Sequence, residues 1–518
     1  MDLPLQNGFK LDDRVVRPLE GTITGAGGVR RVHPKVMEVL ICLAEKFGSV
    51  IRREEILDQV WGHRHGTDKA LTRCISELRR ALDDRDGSAR IIETIPKRGY
   101  RLLASREMLD EAQASPSTRS TPASKPSIAV LPFANMSGDP EQDYFSDGIT
   151  DDIITELSRV SGLFVIARNS TFTYKGKQAT ISIVGRELGA RYVLEGSVRK
   201  SGNKVRVTAQ LADSRTGAQI WAERYDRNLS DIFAVQDDLT RQIVVVLAVT
   251  LTAAQEKQGP RRAPNSMEAY EYILRGRELA WLHKRGTGAE AERLLARAIW
   301  LDPSYAAAYS WLAFKHLIDY VNQWGDQPGE SLRLANELAK KAVGLDDADA
   351  QAHFVLGECR LWAGREHDEA IDQGRRAIEL DPNYSHAYLL LGHALHYAGR
   401  SEESLEPYET AMHLDPCYPD LYLHFLAQSY YSLGRYQDAI EALQERLSRN
   451  PETDISYVLL AACHGRLGMV EDAGSSWAKA LSINPDYSLR DKRRVLPYKN
   501  PADFEDFAEG LNAARVVQ

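Results

Sequence analysis

This 518-residue chain predicts three architectures in series: a small helical domain closed by a β-hairpin, a central α/β open-sheet domain, and an all-α array of helical repeats. Three apolar stripes at helical spacing, followed by a hairpin with Pro and Gly at its turn, predict the first. Alternating strand-like and helix-like runs predict the second, and a phrase recurring with a period near 34 residues predicts the third. At roughly 100–200 residues per domain, the length agrees with several domains in place of one core. Hydrophobic residues at 43% and charged residues at 27% exclude a disordered, collagenous or membrane-dominated chain.

The net charge of −8 hides an asymmetry. Residues 1–105 carry 19 Lys and Arg against 15 Asp and Glu, a local net of +4 that leaves −12 for the remainder. Five scattered cysteines form no CxxC pair, which argues against a zinc site or a disulfide framework and suits a reducing cytoplasm. The first residues show no secretory signal, and the longest apolar run, Ile243 to Val249, is far short of the ~20 residues that span a bilayer. A cytoplasmic protein without a cofactor site is the expectation.

Two seams divide the chain. Ala112 to Ser127 is a Ser, Thr, Pro and Ala stretch with little to bury, so residues 108–126 read as an extended, mobile linker. Gln255 to Asn265, with two prolines and a glycine, is the second. The resulting domains are 1–107, 127–254 and 265–518.

In the first domain, PKVMEVLICLAEKF sets Val36, Val39, Leu40, Leu43 and Phe47 on one helical face. REEILDQVWG turns Ile56, Leu57, Val60 and Trp61 inward on a second helix. In DKALTRCISELRRAL, Leu71, Ile75, Leu78 and Leu82 form a core stripe, and Lys69, Thr72, Arg73, Ser76 and Arg80 take the opposite face. IIETIPKRGYRLL then reads as a hairpin with Lys97 and Arg98 near its tip.

Three helices and a basic hairpin make a winged helix, and the wording resembles the OmpR/PhoB-type DNA-binding domain. FKLDDRVVRPL, HPKVMEVLICL, EEILDQVWG, ISELRRAL and KRGYRL carry the resemblance over about 100 residues. It implies that Thr72, Arg73, Ser76 and Arg80, with Lys69 beside them, enter the major groove of double-stranded DNA, where Arg reads guanine O6 and N7. Arg79, on the flank, is expected at phosphate, and Lys97 and Arg98 at phosphates or in the minor groove. Glu77 departs from an all-basic recognition face, so the bases read do not transfer from relatives. The winged helix begins close to Met1, so control by a phosphoacceptor domain ahead of it is not expected. His63 and His65, ahead of the recognition helix, lack a completing ligand set and suit a phosphate or RNA polymerase contact better than a metal. The Gly25-Ala26-Gly27-Gly28 run has no strand-to-helix context of the phosphate-binding kind.

In the second domain SIAVLPF, LFVIAR and a meander across RYVLEGSVRKSGNKVRVTAQLADSRTGAQIWAERYD read as strands, with turns at Gly202 and Gly217. YFSDGITDDIITELSRV, VGRELG and LSDIFAVQDDLTRQIVVVL read as helices. The phrases VLPFANMSGDPEQDYFSDGITDDIITELSR, ARNSTFTYKG, RYVLEGSVRK and WAERYDR resemble a domain similar to the TolB amino-terminal domain, for which no activity is implied. Asp147, Asp151 and Asp152 suggest either an acid–base or metal cluster or carboxylates that favour the first turn of a helix, and the second reading carries more weight.

The third domain repeats Leu301-Asp302-Pro303, Leu345-Asp346-Asp347, Leu380-Asp381-Pro382, Leu414-Asp415-Pro416, Arg449-Asn450-Pro451 and Ile483-Asn484-Pro485. The Asx residues lie 44, 35, 34, 35 and 34 apart, with the excess expected at Asp319 to Gly329. Each phrase is expected to start a helix, with Asx as N-cap and Pro at its first position. Ala313, Gly357, Gly392 and Ala461, eleven residues on, let helices pack closely, with Leu426 and Ala427 marking one slip. The segment resembles the tetratricopeptide-repeat family, which implies a superhelix that binds a protein partner or serves in self-association or spacing. The end, VLPYKNPADFEDFAEGLNAARVV, reads as a capping helix.

The reading that unites these parts is a sequence-specific DNA-binding transcriptional regulator, an activator more than a repressor, whose C-terminal domains take a signal, a protein partner or a second subunit. A non-catalytic interaction scaffold, and an enzyme centred on the middle domain, stand as alternatives.

Overall fold

The structure, a computed structural model, describes residues 9–12, 14–18, 22–25, 28–32, 34–61, 68–82, 84, 91–95, 98–103, 106–108, 125–247, 249, 264–282, 285–324 and 327–513. It divides into two compact units, Met1–Ser124 and Lys125–Gln518. The expected linker and the second seam fall almost wholly outside the described residues.

The first unit opens with β1 (Phe9–Leu11), β2 (Arg14–Arg17), β3 (Thr22–Gly25) and β4 (Gly28–Arg31). Helices α1 (Pro34–Glu45), α2 (Arg53–Trp61) and α3 (Asp68–Ala81) follow, with β5 (Ile51–Arg52) between the first two. The wing is β6 (Ile92–Ile95) and β7 (Gly99–Leu102), and β8 (Arg106–Met108) ends the unit. An antiparallel sheet runs β4-β3-β2-β1-β8, and a three-stranded sheet runs β5-β7-β6. The sequence reading recovers the helices, the wing and the start of the first sheet, but not β3, β4, β5 or β8. Gly25 and Gly28 of the glycine run belong to paired strands, Gly25 of β3 opposite Gly28 of β4. Alternation at these strands is only three or four residues long, too short for a period to register.

Val36, Val39, Leu40 and Leu43 of α1 are buried with Ile56, Val60, Leu71, Ile75, Leu78 and Leu82 in one core. Phe47 departs from expectation and is 43% exposed. Helix α1 stops at Glu45 and Gly48 takes a φ of +74°, so the chain turns away before Phe47 can continue the stripe.

The second unit opens on a mixed sheet. Its elements are β9 (Ser127–Val130), β10 (Ala134–Asn135), α4 (Asp143–Ser158), β11 (Phe164–Val165), α5 (Arg168–Phe172), α6 (Ile181–Leu188), β12 (Tyr192–Ser201), β13 (Lys204–Asp213), β14 (Gln219–Asn228) and α7 (Ile232–Val246). The order is β11-β9-β12-β13-β14, with β10 beside β12; β9 pairs in parallel with β11 and β12, and the β12–β13–β14 meander is antiparallel. Gly202 and Gly217 sit in the meander turns with φ of +58° and +69°, conformations that a Cβ disfavours.

Helical hairpins follow: α8 (Met267–Trp281) with α9 (Gly288–Leu301), α10 (Ala306–Val321) with α11 (Pro328–Leu345), and α12 (Ala350–Cys359) with α13 (His367–Leu380). Then come α14 (Ser385–Tyr397) with α15 (Ser401–Leu414), α16 (Leu421–Ser432) with α17 (Tyr436–Arg449), and α18 (Asp454–Arg466) with α19 (Val470–Ile483). The pair α8–α9 carries no Leu-Asp-Pro phrase in front of it, so the repeat count alone does not reveal it. Small residues do what their spacing predicts. A Cβ on Gly392 would lie 2.5 Å from Tyr408 of α15, and one on Gly357 would lie 2.5 Å from Leu390 of α14.

Two expectations for the array are corrected. The Asx-Pro phrases do not start helices: Asp302, Asp381 and Asp415 end the preceding helix, and the next begins at Ala306, Ser385 and Leu421. The carboxylate turns the chain instead of capping a helix, as Asp302 Oδ1 accepts from the Ser304 N–H and hydroxyl at 3.2 and 2.7 Å. The long first interval is also shared differently, since α10 runs through Asp319 to Val321 and α11 is 18 residues long.

The last segment holds α20 (Leu489–Val495) and α21 (Pro501–Ala513). Helix α21 covers the last repeat, where a Cβ on Gly510 would strike the Tyr431 hydroxyl and the Ala462 carbonyl. The segment also reaches back along the array. Pro497 O accepts from His367 Nε2 at 2.5 Å, Tyr397 O accepts from Lys499 N–H at 2.8 Å, and Asp506 O accepts from the Tyr431 hydroxyl at 3.1 Å.

The sheet domain and the repeats share one packed interior. Arg277 of α8 bonds Asp152 Oδ1 at 2.8 Å, Asp151 Oδ2 at 3.2 Å and the Gly148 carbonyl at 2.9 Å. Gly148 leaves space for Leu274, which a Cβ would meet at 2.6 Å. Asp147, Asp151 and Asp152 therefore do not serve the first turn of α4, where Asp143 stands; they lie deeper in the helix and hold cations. Lys175 pairs with Asp147 at 2.5 Å and Arg168 with Asp151 at 3.6 Å. Burial outweighs Lys175 and raises the Asp147 carboxyl above its ordinary range. A cavity of about 90 Å³ remains between the layers, bounded by Asp151, Arg168, Arg277, Trp281, Trp311 and Asp381.

Candidate nucleic-acid interface

Helix α3 separates its two faces sharply. Leu71, Ile75 and Leu78 are at most 2% exposed, whereas Thr72, Ser76 and Arg80, each four residues apart, are exposed. A side chain every fourth position returns to the same face, so these three form a row along the outer surface. Lys69 and Arg73 lie on the same helix at positions continuing that row, but their side chains fall outside the described set. Glu77 is half-buried.

Arg79 is placed differently from a free phosphate contact. Its Nη2 donates to the Ile92 carbonyl at 2.8 Å and to Thr94 Oγ1 at 2.9 Å, so one arm of the guanidinium fastens the helix to the wing. Arg30 of β4 donates to the Arg80 carbonyl at 2.5 Å and ties the first sheet to the end of α3. Asp84, just past the helix, accepts from the N–H groups of Ile91 and Ile92 at 3.3 and 2.9 Å. Neither Asp84 nor Arg30 stands out in the sequence, because each acts on backbone groups outside its own element, Arg30 fifty residues away and Asp84 across the approach to β6.

Arg98 sits exposed at the wing turn, its N–H bonded to the Ile95 carbonyl at 3.0 Å. Lys97, His63 and His65 fall outside the described residues. The next residue, Gly99, is required for a different reason than turn conformation. A Cβ there would lie 1.8 Å from the Ile51 carbonyl oxygen, so only glycine lets β7 approach β5. Arg101 spans to Glu93 on β6 with contacts of 2.8 and 2.5 Å and stiffens the hairpin. The buried Cys42 thiol is pushed up to about 11, chiefly by desolvation, and is held as an inert core group. Among the described residues no group of His, Cys, Asp or Glu is placed to hold a metal ion.

Four family profiles match the chain. Residues 28–102 match "Transcriptional regulatory protein, C terminal", and 124–242 match "HilA/YgeH-like transcriptional regulator, second domain". Residues 306–415 match "Bacterial transcriptional activator domain", and 426–488 match "Tetratricopeptide repeat". Among curated proteins, "Putative adenylate cyclase 3" of Rhizobium meliloti is 50% identical over 265 residues, half of this chain and 45% of that protein. The chain thus spans less than half the length of that relative. "Transcriptional regulator HilA" of Salmonella typhimurium is 25% identical over 460 residues, covering 87% of this chain and 79% of that one. "Transcriptional activator CadC" of Escherichia coli is 22% identical over 501 residues, covering 80% and 94%. With an OmpR/PhoB-type C-terminal DNA-binding domain, a HilA-like second domain, a bacterial transcriptional activator domain and tetratricopeptide repeats in this order, the chain is a HilA/CadC-like regulator.

Proposed function

We propose that this protein activates transcription by laying α3 in the major groove of promoter DNA. Lys69, Thr72, Arg73, Ser76 and Arg80 read base edges, Arg98 and Lys97 reach the backbone or minor groove from the wing, and Arg79 positions the helix while its remaining donors face phosphate. The observation that carries this is the division of α3 into a buried leucine and isoleucine stripe and an outward Thr72, Ser76, Arg80 row. The local positive charge of residues 1–105 supplies the phosphate attraction that the whole chain's charge of −8 lacks.

The activator assignment follows the names of CadC and of the activator domain profile. The cysteines are free, with Cys42, Cys74, Cys359 and Cys463 buried, which supports a reducing compartment, the cytoplasm. No helix among the described residues is long and apolar enough to cross a membrane. The partial match to a putative adenylate cyclase does not move the reading towards catalysis, because Asp147, Asp151 and Asp152 are held by Lys175, Arg168 and Arg277. The repeats offer the surface for a protein partner.

Selection of bound sequences from a random duplex pool by the full chain tests the reading. A recovered motif with affinity falling steeply as salt rises is expected, since each neutralised phosphate releases counterions. Recovery of no motif, with binding no tighter than to random duplex, refutes it.

A further inference from the structure

The far edge of the central sheet is long, unpaired among the described residues and self-complementary in charge. Strand β14 is ten residues long and pairs with β13 on one side, while no strand among the described residues pairs with its other side. Its burial is confined to Tyr225, with Trp221 half-buried, and the remainder is exposed. A row of free N–H and C=O groups of this length recruits other strands unless it is blunted by Pro, a bulge or inward charge. Between Ala222 and Asn228 there is no proline, and the irregularity in the ladder lies outside, opposite Leu211 and Ala212.

The backbone phase of this edge is fixed. Leu229 N–H donates to the Asn203 carbonyl at 2.9 Å, one step beyond the Asn228–Lys204 pair. Bonded and non-bonded pairs alternate in an antiparallel ladder, so Glu223, Tyr225 and Arg227 turn their backbone groups to β13. Ala222, Arg224, Asp226 and Asn228 turn theirs outward. A two-fold antiparallel partner must then pair outward residues with outward residues, and the symmetry axis must pass through a residue. An axis at Glu223, Arg224 or Asp226 sets that residue against its own copy, like charge on like charge. An axis at Tyr225 sets Arg224 opposite Asp226 and Glu223 opposite Arg227, and symmetry repeats both pairs.

We propose that β14 pairs antiparallel with β14 of a second copy of this chain, with the axis at Tyr225, making one sheet continuous across a dimer. The charges act as a register key: they refuse the neighbouring alignments and accept one. Asp226 already gathers Arg206 at 2.6 Å and Arg224 at 3.1 Å within one copy, so the second copy's Arg224 joins an existing cluster. Glu223 and Arg227 take no ion-pair partner from the described residues within one copy and are the cleaner pair to alter. The inference stands whether or not the N-terminal unit reads DNA.

Sedimentation velocity on the full chain over a concentration series tests it. A reversible dimer is expected, weakened by salt. Glu223→Arg and Arg227→Glu each place like charges at two symmetric pairs and are expected to raise the dissociation constant about tenfold or more. An equimolar mixture of the two single variants restores every pair and is expected to form a heterodimer, as the doubly swapped chain is expected to form a homodimer. A wild-type chain that stays monomeric, or a dimer that the single variants leave intact, overturns the proposal. So does a mixture that fails to pair although each variant melts at the wild-type temperature.

Discussion

The Ser170 hydroxyl donates to Asp415 Oδ1 at 2.5 Å, joining residues 245 apart in sequence and tying α5 to a turn between repeats. The same hydroxyl accepts from the Cys417 N–H at 2.7 Å, and Asn169 donates to Asp415 Oδ2 at 3.2 Å. One repeat earlier, Ser158 donates to Asp381 Oδ2 at 2.6 Å and Val165 N–H donates to Asn383 Oδ1 at 3.1 Å. The sheet domain is therefore seated on the Asx turns of consecutive repeats, by groups that also shape those turns.

That seat is pH-dependent. Burial pushes the Asp415 carboxyl up to about 6 against the opposing hydrogen bonds from Ser170 and Asn169. The folded chain thus binds this proton more tightly than the unfolded chain, whose carboxyl titrates near 3.8. The stabilisation is complete below pH 4 and is lost as pH rises through 6. Relative to Asp415→Asn, wild-type stability is expected to fall by about 2–3 kcal/mol between pH 4 and pH 7, read from urea melts of both chains.

Arg277→Met removes the cation that Asp151 and Asp152 share and leaves their charge in the interior. A loss of about 3–5 kcal/mol in the stability of the second unit is expected, because an unpaired buried charge costs more than the pair contributed. Adding Asp152→Asn to that variant is expected to recover part of the loss, measured by chemical denaturation.

Gly99→Ala tests the wing without touching a charged residue. The new methyl group meets the Ile51 backbone, which cannot swing aside as a side chain would, so the N-terminal unit is expected to lose about 2 kcal/mol or more. Calorimetry of the full chain should show the first unit's transition lowered with the second unchanged, and DNA binding lost in parallel.

Arg73→Ala and Arg80→Ala are expected to cost about 1–3 kcal/mol of specific DNA binding each and to relax preference at the bases they face. Lys97→Ala is expected to weaken all sequences alike and to reduce the salt slope by roughly one. Titrations of cognate and scrambled duplexes at several salt concentrations separate the two behaviours.

What was legible from residues alone follows from periodicity. The stripe at Leu71, Ile75, Leu78 and Leu82 specifies both the core face of α3 and its outward row, because 3.6 residues per turn tie one to the other. The 34-residue recurrence likewise announces stacked helical hairpins, since each repeat must bury the same face against its neighbour. The same arithmetic places Phe47 in the core, yet it is exposed, because periodicity carries no knowledge of where a helix stops.

The sequence by itself determined the order of the domains, the repeat architecture and the candidate DNA-reading face, all of which depend on contacts within a few turns of chain. Only the tertiary structure decided that Asp147, Asp151 and Asp152 neutralise Lys175, Arg168 and Arg277, that Arg79 holds the wing, and that Asp381 and Asp415 seat the sheet domain. A carboxylate or guanidinium presents the same chemistry to water, to phosphate or to a buried partner. The partner is chosen by tertiary packing, which brings together groups from 13 residues apart, as Arg79 and Ile92, to 245 apart, as Ser170 and Asp415, and removes the water that would otherwise solvate them.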